Sequence, residues 1–288
     1  MVATNEQYAI VETFRDQYIA GAERGVSVLK NYVTSDIVKQ GSLYTFLVAD
    51  SGSASATTRG LNGEIPARTT NNTQLQVQLE EWNDLVKETG FNMFQSQGPR
   101  LDIMRMTSLK TLGRKIDDKI MTALDTSTVG VSTTASTNVL GLLEDALNIL
   151  GLNNFATDSG QVAAVISPTF MSRLRKTKEF AHFDWSNAKP LTEGIPNPQR
   201  VYSYLGIDLI VHNGLNGRAG ASEKNFLFHK DAIGFAMDKS DITVEVDFNK
   251  EQNYSFCRAT GYFGAKLLQT NGVIEMLHDA TGVAAASV

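Results

Sequence analysis

The sequence predicts a mixed α+β chain, and three stretches carry that prediction. Thr73 to Glu80 (TQLQVQLE) alternates apolar and polar residues, the period of a half-buried strand. Gly98 to Asp125 places Leu109, Leu112, Ile116, Ile120 and Leu124 at steps of three and four, the stripe of an amphipathic helix. After residue 138, helical and strand patterns alternate to the end of the chain.

Residues 5–32 read as partly helical, with Ile10, Phe14, Tyr18 and Ile19 spaced for one face. Gly21 and Gly25 weaken that helix, and the segment has too few large apolar residues to form a core alone. Leu43 to Ala49 (LYTFLVA) is rich in aromatic and β-branched residues and reads as a strand. It pairs as a hairpin with the alternating stretch from Thr73. The connection, Asp50 to Asn72, is built from Ser, Thr, Gly, Asn and Ala, the composition of a flexible linker. Hairpin loops usually hold about 2–5 residues, so this one is far too long for a turn. The apolar face of such an extended hairpin is expected to be covered by another chain.

The helix from Gly98 begins at Pro99, which suits a first turn, and extends for roughly 40 Å at 1.5 Å per residue. Thr126 to Thr137 is a Ser/Thr/Val linker. Val139 to Leu150 is amphipathic, and Val162 to Ser167 is a buried strand. Pro168 marks a helix start that continues through Phe170 to Arg175. Leu205 to His212 is a strand, and Asn225 to Asp238 contains one broken near Asp231. Ile242 to Phe248, Tyr254 to Gln269 and Val273 to Leu277 complete the strands. Ala284 to Val288 reads as a tail.

The 288 residues are 42% hydrophobic and 20% charged, which is ordinary globular composition, and the net charge of -5 excludes a general nucleic-acid binder. No apolar run reaches the roughly 18 residues of a membrane span. The N-terminus shows neither a basic nor an apolar signal region. Cys257 is the single cysteine, so no internal disulfide forms.

Residues with chemical potential do not assemble into a site. The contiguous Phe228-His229-Lys230-Asp231 invites a hydrolase reading through His229 and Asp231, yet a strand end turning into solvent is the plainer one. His182, His212 and His278 lack neighbours at metal-ligand spacing. Asp117 and Asp118 are adjacent on the long helix and point in different directions. Gly60 and Gly63 follow a strand but open no helix, so they form no phosphate loop. Catalytic, cofactor and metal residues are therefore all expected to be none.

The order of elements carries a resemblance: a thin N-terminal arm, a long-tipped hairpin, a very long helix, an α/β region, then C-terminal strands. Four local stretches add to it. They are GRKIDDKIMTAL (Gly113 to Leu124), VAAVISPTFMSRLRKTKEF (Val162 to Phe180), YLGIDLIVHNGL (Tyr204 to Leu215) and FLFHKDAIGFAMD (Phe226 to Asp238), with a Gly-rich strand after them (Gly261 to Leu268). Over nearly the whole chain this resembles the major capsid proteins of tailed bacteriophages, the Hong Kong 97-like fold.

The resemblance implies an N-terminal arm over 1–41, an E-loop hairpin over 42–83, a peripheral domain with the spine helix over 84–137 and an axial domain over 138–222. Residues 223–288 then complete both domains and end in the tail. It implies a structural protein that self-assembles, as pentamers and hexamers, into an icosahedral shell around double-stranded DNA. Assembly would occur in the host bacterial cytoplasm, with a portal protein as partner and no membrane. The loop tip would contact a neighbouring subunit through Arg59, Glu64, Ile65 and Arg68. Some members crosslink through an E-loop lysine. Residues 50–72 hold none, so a noncovalent shell is expected. Some carry a long N-terminal scaffolding domain. Here the arm is reached almost at Met1, which implies a separate scaffolding protein. On the spine helix, Arg105, Lys110, Arg114 and Lys115 offer either weak contact with packaged DNA on the inner surface or a solvated face, the plainer reading. An encapsulin-type nanocompartment shell is the alternative sharing the fold, and the His229/Asp231 hydrolase is the more distant one.

Overall fold

The protein is described here by a computed structural model, which covers residues 25–50, 56, 58, 59, 63, 65, 71–95, 100–157, 160–178, 202–239 and 241–282. The helix expected over 5–32 lies outside these residues up to position 24. From Gly25 on, Leu29–Tyr32 forms a single 3-10 turn. Most of the long loop and the tail from residue 283 also lie outside.

The strands are β1 (Thr34–Val38), β2 (Leu43–Asp50), β3 (Asn71–Gln78) and β4 (Glu80–Thr89). The short α1 (Gly90–Gln95) and the long α2 (Arg100–Leu124) follow, then α3 (Val139–Leu152), β5 (Val162–Ile166) and α4 (Pro168–Leu174). The chain continues through β6 (Tyr202–Tyr204), β7 (Ile207–Val211), β8 (Glu223–His229), β9 (Ile233–Asp238), β10 (Thr243–Asn249), β11 (Tyr254–Leu267) and β12 (Val273–His278). These divide into two compact units. One takes residues 1–26, 82–114 and 242–261, and the other takes 27–81, 115–241 and 262–288.

In the first unit β10 runs antiparallel to the start of β11, from Thr243 opposite Thr260 to Asn249 opposite Tyr254. β4 also pairs with β11. The sequence pattern missed β4 for a physical reason. Its half-buried positions are Trp82, Asp84, Val86 and Glu88, so two carboxylates sit on the inward parity and mask the apolar alternation. The helical residues here bury Met104, Ser108 and Leu112 at steps of four. Ser108 is the stripe member that hydropathy overlooks, while the predicted Leu109 is half-buried.

The second unit holds a sheet in the order β12-β8-β5-β7-β6, with β5 and β7 parallel and the other pairs antiparallel. All five residues of β5 are buried, as a continuous apolar run in a sheet interior requires. α3 buries Val139, Leu142, Leu143, Ala146 and Leu150 in one cluster with β5, α4, β7, β8 and β12. Asn138 caps α3 by accepting the Gly141 N–H at 3.2 Å. Ser167 caps α4 by accepting the Phe170 N–H at 3.0 Å, with Pro168 in its first turn.

The break at Asp231 is a 3-10 turn, Lys230–Ala232, between β8 and β9. The strand expected from Leu205 starts at Ile207, because Leu205 and Gly206 form a turn with φ of 52° and 76°. β9 is flanked by parallel β1 and by the end of β11. β1 (TSDIV) carries no alternating signal: Val38 is buried and its apolar neighbour Ile37 is 68% exposed.

Candidate functional site

The β2–β3 hairpin is a two-stranded sheet of its own, and its ladder runs from Leu43 opposite Gln78 to Asp50 opposite Asn71. Directly opposed residues share a face. Tyr44 with Val77 and Phe46 with Leu75 therefore line one face, while Leu43, Thr45 and Leu47 line the other beside Gln78, Gln76 and Gln74.

The structure corrects the expectation that another chain must cover the apolar face. Phe46 and Val77 are buried against Val38 and Ala236 of the same subunit, with Tyr44, Leu79 and Leu268 around them. Tyr44 meets Phe46 edge-on at 4.9 Å, and its hydroxyl donates to Asp36 Oδ2 at 3.1 Å. Two glycines permit this seat. A Cβ on Gly264 would collide with the Gln78 carbonyl oxygen, and one on Gly234 would lie 2.8 Å from the Phe46 ring. The hairpin's opposite face is the one left open, with Leu43 55% and Leu47 73% exposed.

At the loop, Ile65 is 70% exposed. Arg59 is exposed and its Nε donates to the Gly63 carbonyl at 2.9 Å. Glu64 and Arg68 lie outside the described residues.

The helix cations do not form one face. At about 100° per residue, Lys110 and Arg114 lie within about 40° of each other, while Arg105 is about 180° from Arg114. Arg105 and Arg114 are exposed and Lys110 is half-buried. Lys110 packs its stem so closely on Gly25 that a Cβ there would collide with it. Lys115 lines a cleft of about 330 Å³ with Asp118, Thr122, Asp125 and Asn216.

Groups that suggest chemistry are committed to structure. His229 Nδ1 accepts the Asp231 N–H at 3.3 Å and caps the 3-10 turn, while Asp231 accepts from the Thr34 hydroxyl at 3.0 Å. A second constellation escaped the sequence reading altogether. Ser167, Glu223 and His278 are fully buried together. Ser167 Oγ donates to Glu223 Oε2 at 2.6 Å, and His278 Nδ1 sits 2.7 Å from the same oxygen.

The residue types are those of a serine triad, but the wiring differs. The carboxylate stands between serine and histidine, so the imidazole has no path to the hydroxyl proton. Burial pushes Glu223 up, but hydrogen bonds with His278, Ser167, Thr169 and the Ala219 N–H outweigh it and hold the carboxyl at about 2. The cluster ties the starts of α4 and β8 to the end of β12. Its one sequence signal is a Glu opening a nearly all-buried strand and a His closing another. Among the described residues no group of acidic, His or Cys side chains is placed to hold a metal, and no helix is long and apolar enough to cross a membrane.

A family model described as phage capsid protein matches residues 6–280. The chain belongs to that phage capsid family. Its structure superposes on solved ones along nearly its whole length. The capsid of cyanophage P-SCSP1u matches with a TM-score of 0.72 at 13% identity, covering 96% of this chain and 95% of that one. The capsid of Ralstonia phage GP4 gives 0.70 at 11% identity and 99% of both chains. The structure titled Mycobacterium phage Che8 gives 0.70 at 18%, covering 95% and 98%. No curated protein matches the sequence.

The fold of this capsid protein is thus the mixed α+β, Hong Kong 97-like one that the element order resembles, and its role is that of a structural major capsid protein. Capsid proteins of this family are virion components. Neither the nanocompartment nor the His229/Asp231 hydrolase is favoured by these matches.

Proposed function

We propose that copies of this chain assemble, as pentamers and hexamers, into a closed icosahedral shell around the double-stranded DNA of a tailed phage. The observation that carries the proposal is the family match over residues 6–280, together with a hairpin that leaves Leu43, Leu47 and Ile65 exposed. Large exposed apolar residues on an extended element suit a surface that a second copy covers. The tip residues Arg59, Glu64, Ile65 and Arg68 clasp a neighbour. Ile65 is its apolar anchor and the arginines pair with carboxylates.

The arm takes residues 1–41, the E-loop hairpin 42–83, the peripheral domain 84–137 and the axial domain 138–222, with 223–288 completing both. The loop carries no lysine to crosslink, so the shell is noncovalent. A separate scaffolding protein and a portal protein take part in assembly in the host bacterial cytoplasm. Packaged DNA is met weakly on the inner face, by cations spread around α2. Catalysis is no part of this role.

The test replaces residues 50–71 by an Asn-Gly turn, which keeps Ala49 opposite Asn72 and so preserves the register of the hairpin. Subunit melting should hold within a few tenths of a kcal/mol, since loop closure depends only weakly on length. The yield of fast-sedimenting particles should fall. Unchanged yield of equally stable shells would make the loop a mere linker.

A further inference from the structure

Asp117 is 1% exposed in the middle of α2, and its carboxylate gathers donors from a segment nearly ninety positions away. Oδ1 accepts from the Ser27 hydroxyl at 2.6 Å and from the Leu29 N–H at 3.2 Å. Oδ2 faces the Val28 N–H at 3.4 Å and His212 Nε2 at 3.5 Å. His212 Nδ1 accepts the Gly214 N–H at 3.0 Å, which leaves the neutral ring's proton on Nε2, directed at Asp117. Val28, at the start of the turn Leu29–Tyr32, gives it no side-chain cap, and the one local acceptor among the described residues is Ser27 Oγ, which takes the Lys30 N–H at 3.4 Å. Asp117 supplies the anion that the turn's N–H groups need.

The environment changes sharply at this point. Val26 is 67% exposed, while Leu29 is 0% and Val33 1% exposed. Lys30, between them, is held by Asp241 at 3.3 Å. The chain thus passes from solvent to core within three residues, and one buried carboxylate fixes the crossing.

We propose that Asp117 is a latch that pins Ser27, Val28 and Leu29 to α2, so that the point where the chain enters the core is the same in every copy that assembles. Asp117 acts as a positioning residue through Ser27, Val28 and Leu29. The assembly half of the proposal rests on the shell reading, and the local half does not.

The test uses Asp117→Asn and, as a gentler second variant, Ser27→Ala in the full chain. Asparagine turns an amide nitrogen toward groups that are themselves donors. Before assembly, trypsin is added under native conditions and the appearance of a new N-terminus at Asn31 is followed by mass. Cutting after Lys30 requires Leu29–Tyr32 to open. Loss of one charge-assisted hydrogen bond should speed that cut about tenfold or more. Leu142→Ala, which weakens the core elsewhere, should melt lower yet leave Lys30 as protected as in the parent chain.

Latch variants that fold but cut no faster would overturn the proposal, as would equal acceleration in Leu142→Ala. In the second arm, latch variants should yield shells of mixed size where the parent gives one. Uniform shells from a chain with an open latch would overturn the assembly half. If the parent chain makes no shells at all, the shell reading fails and the trypsin arm still decides the latch.

Discussion

Phe46 and Leu47 are chain neighbours on opposite faces of β2, and replacing each by alanine separates what holds the subunit from what holds the shell. Phe46 is 7% exposed, packs on Val38, Val77 and Ala236, and lies over Gly234. Phe→Ala in a core costs about 3–5 kcal/mol. A two-stranded sheet can settle partly into the gap, so about 3 kcal/mol is the appropriate end of that range. At about 2–4 °C per kcal/mol for a unit of this size, subunit melting should drop by about 6–12 °C. Leu47 is 73% exposed, so Leu47→Ala should change subunit stability by less than about 0.5 kcal/mol. In the shell proposed above, where a second copy covers this face, it should instead lower the yield of particles. The assay is thermal melting of unassembled subunits by circular dichroism, paired with sedimentation of assembled material. If Phe46→Ala leaves melting untouched and only assembly suffers, the inner face is covered by a neighbour and the packing argument is wrong. If Leu47→Ala destabilises the subunit, the open face is not open.

Three further outcomes follow from named contacts. Glu223 is held at about 2 against an ordinary 4.5, so its contribution is fully present above about pH 4.5 and is lost as the pH falls toward 2. That contribution is on the order of 3 kcal/mol. Melting of the parent chain should fall across that window, and Glu223→Gln should flatten the fall while lowering melting near neutrality. Gly264→Ala should push the hairpin, at Gln78, away from β11 at a cost of about 1–3 kcal/mol, read as lower subunit melting, and an unchanged melting point would show that the close approach is not needed. Cys257, fully buried opposite Val246 on β10, should tolerate alanine with about 1 kcal/mol lost and particles still forming. Loss of all assembly in a folded Cys257→Ala chain would point to chemistry at the thiol.

What the sequence showed and what it hid follow from where the information resides. The hairpin was legible because Leu75, Val77 and Leu79 alternate with glutamines, and α2 because Ile116, Ile120 and Leu124 repeat at four. β1 and β4 were not, since Ile37 faces solvent and Asp84 and Glu88 share the inward side of β4 with Trp82 and Val86. The hairpin's seat was misjudged for a different reason. Gly234 and Gly264 are distant in sequence from Phe46 and Gln78, and only the fold shows that their missing side chains make room. The Asp117 latch and the Glu223 cluster are likewise invisible in one dimension, because each joins segments dozens of residues apart around a single carboxylate. The family relation was carried by the order of elements, which survives at 11–13% identity to the solved capsids of Ralstonia phage GP4 and cyanophage P-SCSP1u when individual residues do not.

The most direct measurement is an electron micrograph of the purified protein, produced together with the scaffolding protein proposed above. Closed, noncovalent icosahedral shells built of pentamers and hexamers of this chain are expected, with residues 50–72 of each copy resting on a neighbour. A stable, monodisperse monomer under those conditions would contradict the shell reading.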